Sequence, residues 1–513
     1  MKKIFNKIQN FVVNNKAEAI TIVLGSIFYI FMMCYRLTYS PLWFDEYIEH
    51  QISQMSLKSG EMYSNIVLTF QPPLYNFVMH FWLRIAQNML WFRLFNVLLG
   101  LVVGSCVYLS VRRLYGFKPA AFAIALLSCC YQYIYCVQEC SEYQLMVMFI
   151  ALTTLFYIKT IQDKKQKDAV LFVLFAICAM YSQYGAMFMV IPFLGLFYFQ
   201  VLYTKDKKNI ISLTILYGIA AICAALPLYV LYASKQLVEN AIAEHAAVQF
   251  GIKELLSLFT EPGRILIYLF NIPDVAFTQI LFGLIGVLYI VSSIYIICRK
   301  IKANDHVVAN LLTVLLAGYV LHYFLVVFQI YAMVHPGQSG GFYARYSYFY
   351  IPVVIISLTV ITIEIKRMII DNRVKSNKAV KNADIAVVAV AALIAVTLLI
   401  PNIMKNWHKA YDDVFAATWV ENHGWEVPTF LIGQAKYGFD FYIRDVYGDA
   451  AAANAFHESQ LNLDYIPEKM WLWRTSWGGD AFDELVMQLN DRGYNVEILY
   501  DYGEEGQLAV VNK

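Results

Sequence analysis

Charge is scarce in this chain. Asp, Glu, Lys and Arg supply 15% of its 513 residues, where a soluble domain carries nearer a quarter. Beside a hydrophobic content of 60%, that shortage excludes an ordinary soluble globular protein. Cysteine is sparse as well, and its placement argues against a disulfide framework. The nine cysteines (34, 106, 129, 130, 136, 140, 178, 223 and 298) lie in or at the edges of hydrophobic segments, and none lies beyond 298. They show no zinc-ligand spacing. There is no P-loop and no glycine-rich nucleotide fingerprint after a strand. Nothing points to nucleic acid. The N-terminal stretch MKKIFNKIQNFVVNNK is basic, and the apolar run after it lacks a small-residue cleavage site. It reads as a retained anchor.

What the chain does have is long apolar runs. They recur at 18–38, 94–111, 119–136, 143–160, 169–183, 186–203, 210–232, 277–298, 306–330, 346–365 and 384–404. A helix satisfies its own backbone hydrogen bonds in lipid, so such runs make a polytopic helical membrane protein. A twelfth candidate is 73–90, PLYNFVMHFWLRIAQNML. Loop charges decide whether it crosses. If it does not, the N-terminus and the loops 112–118, 159–168, 204–209, 299–305 and 366–382 share one side and carry 23 Lys and Arg, against 8 in the other side's loops before residue 402. The positive-inside rule places the first set in the cytoplasm. The stretch 73–90 is therefore expected as an interfacial helix on the outer leaflet, with His80 and Arg84 on its polar side and Pro72-Pro73 at its start. The long segment 233–276 is expected as an outer loop.

After residue 404 the character changes. Residues 405–513 hold 8 Lys and Arg against 18 Asp and Glu. PTFLIGQ (428–434), NVEILYDY (495–502) and QLAVVN (507–512) read as strands, and AFDELVMQLNDRG (481–493) as an amphipathic helix ended by Gly493. In MWLWRTSW (470–477), core and strand packing is favoured over stacking on sugar rings. The expected fold class is thus an all-α polytopic membrane protein, with about 11 transmembrane helices plus an interfacial helix over 1–404. A small C-terminal α/β extracytoplasmic domain follows over 405–513. The chain is expected in the cell membrane, its N-terminus cytoplasmic.

The stretch Pro41–Tyr47, PLWFDEY, places Asp45 and Glu46 where the chain leaves the first span. Aromatic neighbours make acids there poorly solvated, and such groups are costly unless paired or functional; a solvated loop is the plain alternative. Glu139, Glu142 and Tyr143 sit between two spans in QECSEY, where ordinary interfacial polarity is the competing reading. Arg345, with Tyr346 beside it in ARYSYFY, suits a lipid phosphate by bidentate contact, against simple snorkelling. His335 lies in the preceding glycine-rich loop. Arg264 is a second phosphate candidate or an interfacial anchor.

Taken in order, the Asp-Glu pair, QPPLYNFVMHFWLRI, RLFNVLLGLVVGSCVYLSVRRLYG, QECSEY, YSQYGAMFMVIPFL and RYSYFYIPVV resemble the GT-C superfamily of membrane glycosyltransferases. The resemblance covers roughly residues 18–366 and is closest to the branch of protein O-mannosyltransferases and the aminoarabinose transferase. It implies a polyprenyl-phosphate-linked sugar as donor, chemistry on the outer face, and a glycan, lipid or protein acceptor. It gives Asp45 the role of general base. The chain departs from the branch at Gln71, where a basic residue is common, at Ser141 and Glu142, where an arginine is common, and at Gln183, where a histidine is common. These departures shift the phosphate contacts toward Arg345 and Arg264. Gln183 and Tyr184 join Glu142, Tyr143 and His335 as candidate substrate contacts.

A polyprenyl-phosphate leaving group departs as a stable anion and needs a cation rather than a proton donor. The acceptor hydroxyl needs one carboxylate in reach. A flanking acid such as Glu139 favours an oxocarbenium-like transition state. The sequence assigns no cofactor; a divalent metal ion stays open, with Asp45, Glu46 and Glu139 as the acids to hold it. Two other readings stand beside this one. A transporter or flippase of lipid-linked sugars predicts two similar halves with midplane polar groups, and no such halves are visible. A non-catalytic cell-envelope scaffold predicts that the acidic tail alone matters.

Overall fold

In the computed structural model, the described residues are 13–38, 42, 44–69, 71–204, 214–223, 225, 252–273, 275–327, 344–373, 400, 411–432, 442–475, 479–501 and 506–513. They form two compact units. The first comprises 1–34, 56–78 and 96–402, and the second 35–55, 79–95 and 403–513.

The helices up to the tail are α1 (Lys16–Cys34), α2 (Phe44–Gln54), α3 (Glu61–Thr69), α4 (Leu74–Trp82), α5 (Met89–Tyr115), α6 (Phe117–Ser128), α7 (Tyr131–Gln138), α8 (Glu142–Asp163), α9 (Gln166–Ser182) and α10 (Met187–Thr204). There follow α11 (Thr214–Cys223), α12 (Ile252–Phe270), α13 (Ala276–Lys302), α14 (His306–Val327) and α15 (Ile351–Arg373). Among the described residues, 7 helices are long and apolar enough to cross a membrane, or up to 8 if α6 and α7, bent by 67°, make one broken span. These eight coincide with eight of the runs expected from hydropathy. Of the other three, 169–183 forms α9, which at 17 residues is shorter than a full span. The run 210–232 is described only in part, and 384–404 lies almost wholly outside the described residues.

Two segments differ from expectation. The stretch 73–90 forms only the nine-residue α4, and His80 within it is buried rather than on a polar face. The first loop also holds α2 and α3, which hydropathy does not show. The segment 233–276, expected as a loop, contains α12. This helix carries four charged residues and Pro262, which lower its hydropathy, and it packs along α13. Close approach there needs glycine. A Cβ on Gly263 would sit 1.6 Å from the Phe282 carbonyl oxygen, and one on Gly286 would sit 2.6 Å from the Gly263 nitrogen.

In the first unit, charges at the basic-loop ends are paired. Arg112 and Tyr108 hold the buried Glu18 of α1. Glu364 of α15, also buried, accepts from Tyr115 at 2.9 Å and from Lys300 at 3.0 Å, tying α5, α13 and α15 together.

The tail builds one five-stranded sheet. Its strands are β1 (Thr429–Ile432), β2 (Ala455–His457), β3 (Lys469–Thr475), β4 (Asn495–Asp501) and β5 (Gly506–Asn512), in the order β2-β1-β3-β5-β4. β1 pairs parallel with β2 and β3, while β5 pairs antiparallel with β3 and β4. Alternation sends Phe430, Ile432, Met470, Leu472, Ala509 and Val511 to one face, where they pack with Phe482 and Leu489 of the helix Gly479–Asp491. That helix stops before Gly493, whose φ of 83° only glycine adopts without strain. Trp471 and Trp473 occupy the opposite face and are buried, so these two serve packing, as favoured from sequence, while Trp477 lies outside the described residues. His423, at the end of the helix Tyr411–His423, stacks on Trp419 and meets the Trp471 edge.

Candidate functional site

Asp45 and Glu46 occupy the first turn of α2, where acidic residues complement the exposed N–H groups of a helix start. Their environments differ. Asp45 is half-buried. Glu46 is buried, and Arg93 takes both of its carboxylate oxygens, Nε to Oε1 at 3.1 Å and Nη2 to Oε2 at 2.8 Å. The Arg93 Nη1 donates to the Leu37 carbonyl at 2.8 Å. One guanidinium therefore ties the exit of the first span to the start of α2, and Asp45 lies between those two points.

Neighbouring contacts hold Arg93 in place. Trp82 and Trp91 stack with ring centroids 4.2 Å apart. Each indole N–H donates to the other's carbonyl, at 2.9 and 3.0 Å. This clamp ends α4 and starts α5. On α2 itself, His50 packs edge-on against Phe92, and burial pushes its imidazole down to about 4, so it is neutral at pH 7. Arg84 donates to Nε2 of His80 at 2.8 Å, which leaves Nδ1 to carry the proton and donate to the Ser53 carbonyl, also at 2.8 Å. Sequence reading counts Arg93 only as a loop charge. The available signal was an arginine in the first turns of an apolar run, where an unpaired charge is costly.

In the first unit, Glu139, Glu142 and Tyr143 are all buried around the α7–α8 junction. The side chain of Gln138 donates to the Met32 and Met33 carbonyls at 3.3 and 3.2 Å, fixing that junction to α1. The Tyr143 ring meets Tyr348 edge-on at 5.6 Å, and Tyr348 donates to Gln132 at 2.9 Å. These three candidates therefore share a neighbourhood with the 3-10 helix Ala344–Tyr350. That element contains Arg345 and Tyr346, whose side chains lie outside the described residues, as does His335 entirely. Gln183 is buried and accepts from the Gly185 N–H, capping the 3-10 turn Tyr184–Ala186, in which Tyr184 is buried. This turn packs against the same 3-10 helix. Arg264 sits on α12 with Glu261 one turn before it. Among the described residues, no group of three His, Cys, Asp or Glu side chains is placed to hold a metal ion.

A family model described as dolichyl-phosphate-mannose-protein mannosyltransferase matches residues 70–232, a stretch that includes α4, Arg93, Glu139, Glu142, Gln183 and Tyr184. Two solved structures share the fold. The chain is similar to ArnT from Cupriavidus metallidurans in the apo state, with a TM-score of 0.54 at 11% identity, covering 97% of this chain and 98% of that one. It is likewise similar to ArnT from the same organism bound to undecaprenyl phosphate, with a TM-score of 0.52 at 12% identity, covering 96% and 97%. No curated protein sequence matches the chain.

Proposed function

We propose that this protein is a glycosyltransferase that moves a sugar from a polyprenyl-phosphate-linked donor to an acceptor hydroxyl. The observation that supports the reading most is the first turn of α2, where Arg93 fixes Glu46 in a buried pair and leaves Asp45 half-buried beside it. In this role Asp45 takes the proton of the acceptor hydroxyl as that oxygen bonds to the anomeric carbon. The bond from the carbon to the phosphate oxygen breaks, and polyprenyl phosphate leaves with the electron pair. A single displacement of this kind inverts the anomeric centre. Glu46 acts as a positioning residue through Arg93.

The phosphate is assigned to Arg345 and Arg264, with Tyr346, because a departing phosphate anion needs fixed positive charge. Glu139 is assigned to the developing positive charge on the sugar ring, and Glu142, Tyr143, Gln183, Tyr184 and His335 to sugar and acceptor contacts. The acceptor is a glycan, a lipid or a protein, reached on the side of the membrane opposite the basic loops. ArnT bound to undecaprenyl phosphate supports a lipid-phosphate donor by likeness of fold.

The test uses purified full-length protein with a panel of polyprenyl-phosphate sugars and measures release of polyprenyl phosphate. Asp45→Asn keeps the size and removes the base. It is expected to fall by about 10²- to 10⁴-fold in turnover with an unchanged melting temperature. Turnover of Asp45→Asn near the wild-type value would remove Asp45 from the role. A wild-type protein that turns over no member of the panel would overturn the reading as a whole.

A further inference from the structure

α12 carries a carboxylate that the reaction outlined above does not use. Glu261 is fully buried, and among the described residues its Oε1 has no hydrogen-bond partner. Its Oε2 lies 3.4 Å from Nη1 of Arg264, one turn along the same helix. The two side chains are unequal. The Arg264 side chain is 32% exposed, whereas that of Glu261 is 0% exposed. Arginine has a long stem and can swing, but Glu261 cannot follow it. The α12 backbone next to it is pinned, because Gly263 lies against the Phe282 carbonyl and the Gly286 backbone of α13.

We propose that Glu261 is the resting counter-ion of Arg264, and that Arg264 leaves it for an anionic phosphate headgroup while Glu261 takes up one proton from solvent. The inference rests on Arg264 being a donor-phosphate ligand, as proposed above. Glu261 is then a positioning residue that acts through Arg264. The physical reason is the cost of the alternative. A carboxylate buried without its cation costs several kcal/mol, and such a group neutralises instead. Burial already raises the Glu261 carboxyl to about 7 against the pull of Arg264. Removing the cation raises it further.

Among the described side chains, the other titratable groups around Glu261 do not share the proton. Tyr319 of α14 is close enough for the two to repel when charged, and its hydroxyl donates to the Leu258 carbonyl at 2.6 Å. Tyr289 of α13 and Tyr350 of the 3-10 helix line an apolar cavity with Tyr319 and Pro262. The titratable side chains of α7, which packs against α12, are Tyr131, Tyr133, Tyr135 and Cys136. A phenol titrates near 10 when unperturbed, far above the range at issue. His322 of α14 bonds Tyr350 at 3.0 Å. The lysines and arginine of α13 stand in its last turn, well beyond the Phe282 and Gly286 contact with Gly263.

The coupling has a fixed sign. Between the Glu261 pKa in the free protein and its higher value in the complex, binding consumes a proton. Affinity therefore falls as pH rises, by about tenfold per pH unit above about 7. The probe is a polyprenyl methyl phosphodiester, whose single charge does not titrate between about pH 6 and pH 9, bound to the full chain in lipid nanodiscs. Wild type is expected to show that slope, with uptake approaching one proton per ligand at the alkaline end in weakly buffered solution. Glu261→Gln is expected to bind with no pH slope and more tightly than wild type at the alkaline end. A flat wild-type profile without proton uptake overturns the proposal, as does a Glu261→Gln profile parallel to wild type. The uptake measurement needs no variant, so it decides even if Glu261→Gln does not fold. Arg264→Gln binding the diester as well as wild type would instead overturn the assignment of Arg264 to phosphate. Displacement of the diester by inorganic phosphate with the same proton uptake would assign the exchange to free phosphate, and retention of the lipid to a headgroup.

Discussion

Arg93 has 1% of its side chain exposed and Glu46 has 3%. Neither charge tolerates such burial alone. Together they satisfy each other, and Nη1 of the guanidinium reaches the Leu37 carbonyl. The consequence is an asymmetry between removing one partner and removing both. Glu46→Gln leaves a buried guanidinium without its anion and is expected to destabilise by about 3–5 kcal/mol. The double variant Glu46→Leu with Arg93→Met replaces the pair by apolar groups and is expected to recover most of that loss. Apparent melting temperatures of the three proteins in detergent check this. A double variant as unstable as Glu46→Gln would show that the pair's value lies elsewhere. At this scale, the acids were legible and their partner was not. Asp45 and Glu46 stand out as adjacent charges beside an apolar run, but Arg93 lies 47 residues further on. Nothing in local pattern joins positions that only tertiary structure brings together. The same holds for Glu261: sequence marks Arg264 as a charge near an interface, but burial of its neighbour appears only when α12 is seen against α13.

Helix α12 illustrates what hydropathy loses at the scale of elements. Lys253, Glu254, Glu261 and Arg264 interrupt the apolar run, so a span search passes over it and a loop is expected. Its apolar residues nonetheless recur at helical spacing, from Leu255 and Leu258 through Ile265 and Leu269. A moment-based reading would have found the helix though not its partner. Its packing makes a sharp contrast between two glycines. A methyl group at Gly263 would collide with backbone, whereas one at Gly25 of α1 would meet nothing within 4 Å. Gly263→Ala is therefore expected to force α12 off α13 and to lose about 1–3 kcal/mol. Gly25→Ala is expected to be neutral or slightly stabilising, since alanine restricts the unfolded chain and suits a helix. Equal melting temperatures for the two variants would contradict the close contact. The expected helix at 73–90 is present but shorter, Leu74–Trp82, and beyond it the Trp82 indole stacks on Trp91, a pairing no propensity scale contains.

For the whole molecule, the apolar runs carried most of the argument, because lipid leaves so few ways to satisfy a backbone. The strands of the tail were legible as short apolar runs at 428–434, 495–502 and 507–512, and the three-residue β2 was too short to leave a pattern. The strongest global inference concerns sidedness, which rests on the 23 Lys and Arg of one set of loops against 8 of the other. That imbalance follows from the membrane potential and insertion machinery acting on short loops, so it is a statement about topology and not about net charge. It makes a specific expectation for two exposed positions, Ala303 in the basic segment after α13 and Ser459 in the tail. The two exposed native cysteines, Cys34 and Cys298, are first changed to serine. Ser459→Cys in intact cells is then expected to react with a membrane-impermeant maleimide, and Ala303→Cys only after the cells are broken. Labelling of Ala303→Cys in intact cells would invert the assignment of every loop. It would place Asp45 on the cytoplasmic side, against the outer-face reaction proposed for it.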